Sequence, residues 1–245
     1  MAEHLVYTER VGGSSPSPPT SPHIVVAALF ASALAFFASV GLAFAQSQPM
    51  SFHLARIAQD RCGSDCPQVI VAEGVIEEDT PQAFVDFVRS AADQPGARGV
   101  VLLSSPGGRV VASMRLGAAL RQMRAAVIVA RSSNEGGRDI TVAGQCMSAC
   151  VYAMMGGVKR IVPPESRVGI HRMSREEAGE AAARAPRSTT RTYASTDMVD
   201  ALANYAAEMG VNPTVIRTAE RISPDEIHIL STAELRRWRL ASPKF

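Results

Sequence analysis

Three short runs of consecutive apolar residues, the first two each followed by a turn and an amphipathic stretch, constrain this chain more than any other feature. Gln68 to Ile76 (QVIVAEGVI) precedes Asp79-Thr80-Pro81 and a segment in which Phe84, Phe87 and Val88 recur at helical spacing. Val100 to Leu103 ends at Pro106-Gly107-Gly108, and Arg109 to Met123, with Val111, Met114, Leu116, Leu120 and Met123, then reads as a helix. Ala126 to Ala130 (AVIVA) is the third run. A strand that is apolar at every position has no face to offer water. The pattern therefore predicts an α/β fold with a mostly parallel sheet covered by helices on both faces.

The alternation continues beyond these units. Ser132 to Arg138 reads as a polar, glycine-containing loop and Ile140 to Ala143 as a strand. Gly144 to Cys150 forms a sharp turn into an apolar helix that runs through Met155 and stops at Gly156-Gly157. Lys159 to Val162 and Val168 to His171 read as short strands, and Ser174 to Thr192 is a charged, alanine-rich stretch without an assigned structure. Helices are expected around Met198 to Met209, Pro213 to Glu220 and Thr232 to Trp238. No repeat at a fixed period accompanies the strand–helix alternation.

The N-terminus differs in composition from the rest. Residues 1–23, rich in Gly, Ser and Pro from Gly12 to Pro22, are expected to be disordered. Residues 24–45 contain no charged side chain and are long enough, as one hydrophobic helix, to cross a bilayer core of about 30 Å. This segment ends in Ala43-Phe44-Ala45, the small-x-small pattern of a signal-peptidase site, so a cleaved signal peptide and an uncleaved transmembrane anchor both fit. Either one places the remaining chain outside the cytoplasm, periplasmic or anchored in an inner membrane. Residues 46–66 are expected to be a linker and residues 67–245 the folded domain.

Composition narrows the function classes. A formal net charge of +2 and an aromatic content of 5% give neither the basic footprint nor the stacking platforms that nucleic-acid binding uses. Four cysteines fall in two Cys-x-x-x-Cys pairs. In an exported chain an even count favours disulfides over a tetrathiolate metal site. Cys62 and Cys66, in a loop-forming Cys-Gly-Ser-Asp-Cys-Pro segment, are the expected disulfide, whereas Cys146 and Cys150 are expected to be small buried residues.

A specific order of motifs runs through the domain. Ser105-Pro106-Gly107-Gly108 follows a buried strand. Gly144-Gln145-Cys146-Met147-Ser148-Ala149 opens an apolar helix, and Lys159-Arg160 leads to Pro164-x-Ser166-Arg167-x-x-Ile170-His171. This set resembles the signature of Clp-type serine peptidases, in the ClpP/crotonase superfamily, over roughly Val75 to Leu240. The resemblance implies repeated β-β-α units, with Ser148 as nucleophile, His171 as general base, and the Gly108 and Ala149 amides as oxyanion hole. It implies a serine hydrolase acting on peptides or unfolded proteins without cofactor or metal. It also implies subunit contacts near Ser174 to Thr192, so a homo-oligomer is among the expectations.

Those assignments suit the chemistry. A serine hydroxyl is a weak nucleophile until an adjacent base removes its proton, and imidazole can do so near neutral pH. Helix-start amides without an intrahelical acceptor can meet a developing oxyanion. On the residues alone, Ser148 is as well suited to cap a helix and His171 to close a sheet end. The third triad member departs from the family pattern, because alignment of Leu230-Ser231-x-x-Glu234 puts Ile227 near the place of the acid. Asp225 is the expected substitute, with Glu226 beside it. If neither reaches His171, a Ser-His dyad or a non-catalytic scaffold or binding protein with a degenerate triad remains. An acyl-CoA enzyme of the crotonase type does not fit export, where coenzyme A is not expected.

Overall fold

The computed structural model describes residues 48–57, 68–92, 99–178 and 189–242, all within a unit spanning Ala45–Phe245. Its centre is a six-stranded sheet. Strands β2 (Gln68–Glu73), β3 (Val100–Ser104) and β4 (Ala126–Glu135) lie parallel in that order, flanked by β1 (Ser51–Arg56), antiparallel to β2. The far edge of β4 is shared. Its first residues pair in parallel with β7 (Lys159–Ile161), and Ala130 onwards pairs antiparallel with β5 (Arg138–Ala143). The expected mixed α/β architecture is present, with its parallel core formed by the three apolar runs.

Side-chain alternation along these strands separates two apolar clusters. Ile70, Ala72, Val101, Leu103, Val127 and Val129 face the helices and join the large core. Val69, Val71, Leu102 and Ala130 form a second cluster on the opposite face, and no helical residue belongs to it. Among the described residues, then, helices cover one face rather than the expected two. The first helix, α1 (Thr80–Ser90), starts at Thr80-Pro81, where proline costs no hydrogen bond, and buries Phe84. The second, α2 (Val110–Gln122), buries Leu116 and Leu120. Val111, expected in its apolar stripe, is instead 43% exposed.

Two other expectations are corrected, and one unassigned stretch gains a structure. Within the linker expected over residues 46–66, residues 51–56 form an edge strand whose Phe52 packs on Phe84 and Phe87 at 5.3 and 6.0 Å between ring centroids. The polar stretch Ser132 to Arg138 is not a loop. It continues β4 to Glu135 and turns into β5 at Gly136-Gly137, with φ +59° and +81°, as a two-residue hairpin demands. Part of Ser174 to Thr192 also forms a hairpin, of β9 (Ser174–Ala178) with β10 (Thr189–Tyr193). The N-terminal segment 1–45, with its expected apolar helix, and the Cys62/Cys66 pair lie outside the described residues; among the latter, no helix is long and apolar enough to cross a membrane.

A second, three-stranded sheet stands behind the candidate site, in the order β11 (His228–Ile229), β8 (Arg167–Ile170), β6 (Gln145–Met147). The short helix α3 (Cys150–Met155) follows β6 and is buried along its whole length. The C-terminal helices α4 (Thr196–Glu208), α5 (Thr214–Ala219) and α6 (Thr232–Arg237) complete the core. The first is capped by Ser195 and the last by a Ser231/Glu234 capping box. Buried Arg160 fastens the chain end by donating to the carbonyls of Gly157, Arg239 and Leu240. Burial lowers its pKa to about 10, with Arg121 and Arg239 adding to the effect, which leaves it a cation at neutral pH.

Where α2 crosses the end of α3 the two backbones touch. A Cβ on Gly156 would fall on the backbone of Gly117, and one on Gly117 would meet the Tyr152 carbonyl and the Tyr205 hydroxyl. This crossing sets the distance between the helix after Gly108 and the helix after Ser148. Gly156→Ala is expected to destabilise the domain by roughly 1–3 kcal/mol, the usual cost of overpacking. Urea unfolding would measure it, and a loss below about 0.5 kcal/mol would contradict so close a contact.

Candidate active site

Strand pairing brings Ser148 and His171 together. Parallel β6 and β8 match Gln145 with Arg167, Cys146 with Val168 and Met147 with Gly169. The next residue, Ser148, donates its N–H to the Gly169 carbonyl at 2.8 Å. The strands therefore end side by side, with Ser148 leaving one and His171 leaving the other. Gly144 lets the chain reach this register, since its Cβ position is filled by the backbone of Ala130. Its N–H is taken by buried Ser166 Oγ at 3.1 Å.

At Ser148 the backbone turns into the left-handed region, with φ +54°. A non-glycine residue there costs about 1–2 kcal/mol and persists only where its surroundings hold it. The turn throws the side chain out at the start of α3, whose N-cap is Ala149 and has no side-chain cap. Ser148 is thus not the helix cap that its residue type alone allows. Ser148 lines a cavity of about 60 Å³ whose walls also include Gly108, Ala149, Ile170, His171 and Val215. Tyr152 is also in that wall. Burial, and secondarily Glu220, push its phenol pKa well upward, so it stays neutral.

The Pro-Gly-Gly turn reaches the same cavity from β3. Ser105 pairs with Cys146, receiving from Met147 N–H at 3.0 Å and donating to Gln145 O at 2.7 Å. Gly107 and Gly108 have φ of +116° and +139°. Ile76 pins them by donating to Gly107 O at 2.8 Å and accepting from Arg109 N–H at 2.7 Å. A Cβ on Gly107 would stand 3.0 Å from Ser148 Cβ and 3.2 Å from Ala149 N, so only glycine permits this approach. Among the described residues, neither the Gly108 nor the Ala149 N–H donates a backbone hydrogen bond. Two amides without acceptors thus border the cavity that holds the serine.

His171 is half-buried, and its Nδ1 lies 2.9 Å from the Arg172 carbonyl oxygen. A carbonyl only accepts, so Nδ1 is the donor and Nε2 is the ring nitrogen left to act as base. Ser148 and His171 share the cavity without a hydrogen bond between them. Such bonds are often loose before substrate arrives.

Among the described residues, no carboxylate is hydrogen-bonded to His171. The antiparallel pairing of β11 with β8 matches His228 with Ile170, and one step further places Ile227 opposite His171, as the alignment suggests. Asp225, expected to orient the imidazole, instead accepts from Arg191 at 2.8 Å. That bond holds its pKa below the ordinary carboxylate range. Glu226 is exposed.

Two features escaped the sequence reading. Cys146 and Cys150, expected to be small packing residues, are joined in a disulfide; their spacing and even number were the available signal. Glu220 accepts from Met173 N–H at 3.3 Å and pairs with Arg172 at 3.4 Å, bracing the segment after His171. No local motif announces that contact. Beyond the cavity a groove of about 670 Å³ continues past Gly108, Met173 and Ser174 to Tyr193 and Met198. Val111, Tyr193 and Met198 line it and are 43%, 48% and 37% exposed, an apolar surface open to solvent.

No protein-family model matches the chain, and no curated protein matches it. Among solved structures, a serine-to-alanine form of the 1510-N membrane-bound stomatin-specific protease is similar, at 18% identity and a TM-score of 0.48, over 70% of this chain and 75% of that one. A lysine-to-alanine form of the same protease with a substrate peptide gives 19% identity and a TM-score of 0.47, over 70% and 71%. Neither likeness bears on the chemistry of Ser148 and His171, which rests on this chain's own geometry.

The left-handed turn at Ser148 can be tested without any substrate. Ser148→Gly removes the Cβ that makes this conformation costly, whereas Ser148→Ala keeps it. The glycine variant is expected to be about 1 kcal/mol more stable than the alanine variant, the reverse of their order in a regular helix. Thermal or urea unfolding of the pair decides it, and the alanine variant proving the more stable would contradict the strained turn.

Proposed function

We propose that this chain is a serine hydrolase, and specifically a peptidase, working outside the cytoplasm through a Ser148–His171 dyad. One observation carries the reading: a serine in a strained turn and a histidine with a free Nε2 border one cavity together with two unpaired backbone amides. Ser148 Oγ attacks the acyl carbon as His171 Nε2 takes its proton. The oxyanion forms between the Gly108 and Ala149 N–H groups. Collapse of the tetrahedral intermediate expels the amine, which receives the proton from His171. Water then hydrolyses the acyl-enzyme by the same steps. No metal or cofactor is required.

In this scheme the Arg172 carbonyl replaces the triad acid. It fixes the tautomer, but its dipole stabilises the imidazolium less than a carboxylate would, so turnover is slow for a serine hydrolase. The cavity beside Ser148, about 60 Å³, has room for a small apolar side chain at the acyl position. The groove with Tyr193 and Met198 offers apolar contacts to the rest of an extended peptide. Substrates would be unfolded or already cleaved chains, since an ATP-driven unfoldase is not expected outside the cytoplasm. Export is supported by the apolar segment 24–45 and by the Cys146–Cys150 disulfide, a bond that persists in oxidising compartments. If segment 24–45 is not cleaved, the domain would be anchored in the membrane.

A scaffold or binding protein is the second reading, favoured by Ile227 opposite His171 and by the engagement of Asp225 with Arg191. A fluorophosphonate probe separates the two. The hydrolase reading expects covalent labelling that is abolished in Ser148→Ala, reduced at least about a hundredfold in His171→Ala, and unchanged within about twofold in Asp225→Asn. A folded wild-type protein that never labels supports the scaffold.

A further inference from the structure

The Cys146–Cys150 disulfide spans the turn that carries Ser148 and Ala149. We infer that this bond is a positioning device for the nucleophile and for one oxyanion amide, and not a general staple of the fold; the inference rests on the hydrolase reading for its catalytic consequence. Cys146 sits inside β6, fixed on both sides by Val168 and Ser105. Cys150 is the first residue of α3. Only Met147, Ser148 and Ala149 lie between them, and the two Cα atoms are 5.2 Å apart. Four residues of extended chain would span roughly 13–14 Å. The covalent link thus imposes the reversal within which Ser148 adopts φ +54°.

The other ties on that turn are single backbone bonds. Ser148 N–H bonds to Gly169 O, and the Ser148 and Ala149 carbonyls accept from Val151 and Tyr152 N–H at 3.1 Å each, while the Ala149 N–H has no backbone acceptor among the described residues. α3 has no side-chain cap to fix its first turn. Without the bond the elbow can relax toward the right-handed region, rotating the Ser148 hydroxyl and the Ala149 N–H away from the cavity. The sheet itself has no such dependence, because β2, β3, β4 and β7 pair with one another independently of the elbow. Both cysteines are fully buried, at 0% exposure. Thiol–disulfide exchange needs an attacking thiolate to reach a sulfur, so the folded protein keeps the bond as a permanent constraint rather than a switch.

The test compares the oxidised protein with two forms lacking the bond: the Cys146→Ala/Cys150→Ala variant, and wild type refolded and held in dithiothreitol, which donates two electrons and two protons to give two thiols. The readouts are kcat and KM on a small acyl ester, the fluorophosphonate labelling rate, and amide hydrogen exchange across residues 144–152. Both forms are expected to fold, with exchange in β2 to β4 unchanged. They should lose about 10- to 100-fold in kcat and labelling rate with KM within about twofold, the scale of displacing a reacting group by up to about 1 Å. The Ser148 and Ala149 amides should exchange at least about tenfold faster, and reoxidation of the refolded wild type should restore every value. Values for the elbow within twofold of the oxidised protein overturn the proposal, and so does failure of both forms to fold, which would make the bond a general staple. If the oxidised protein neither labels nor turns over, the hydrolase reading fails. The exchange data alone then judge the positioning claim, by the same thresholds.

Discussion

The hydrogen bond from Ser148 N–H to the Gly169 carbonyl, at 2.8 Å, ends a parallel pairing on which the rest of the site depends. Parallel strands carry their residues in the same direction, so two strands in register deliver their last residues to the same edge. Here the residues that follow the two strand ends are a serine and a histidine. A one-residue slip would send every side chain of β6 to the other face, and the Ser105–Cys146 bridge opposes it by tying β6 to the end of β3 as well. That second tie also brings the Gly107-Gly108 turn against Ser148 and Ala149, so one short strand organises nucleophile, base and oxyanion amides together.

The base is oriented in an unusual way. The register continues to Ile227 opposite His171, and the expected acid, Asp225, is occupied by Arg191. The imidazole is held instead by the carbonyl of the next residue, in a segment braced by Glu220 through Met173 N–H and Arg172. Arg172 also stacks over the ring of Tyr193, 4.1 Å from its centroid, which joins the base to the wall of the groove. A neutral carbonyl sets the tautomer without supplying a full negative charge. The site is therefore arranged for correct proton placement more than for strong imidazolium stabilisation.

Much of this was legible in the residues because the decisive signals are local. Strands apolar at every position could only be buried, and Pro106-Gly107-Gly108 and Gly156-Gly157 marked turns at their observed places. The Ser148 elbow and the His171 strand end followed from motif order. What was missed depends on partners distant in sequence. Phe52 belongs to a strand because Phe84 and Phe87 are there to receive it. Ser132 to Glu135 is polar, and polarity suggests a loop, yet a hairpin edge with solvent on both faces needs no apolar pattern; only Gly136-Gly137 betrayed it. Helical coverage of one sheet face among the described residues, rather than two, is a property of packing that strand composition does not encode. Glu220 could not be found from spacing, because its contacts lie on another element.

The cysteines make the same point in chemical terms. A Cys-x-x-x-Cys pair is compatible with packing, metal or disulfide, and the choice falls to the backbone, which here reverses sharply between the two. The account as a whole stands on Ser148 Oγ and the two amides meeting at one point. A crystal structure with a peptidyl boronic acid bearing a small apolar side chain tests this most directly. The account predicts a tetrahedral boronate bonded to Ser148 Oγ, with one oxygen between the Gly108 and Ala149 N–H groups and another within reach of His171 Nε2. A boronate left unbound at saturating concentration, or bonded to Ser148 with its oxygens turned away from both amides, would contradict it.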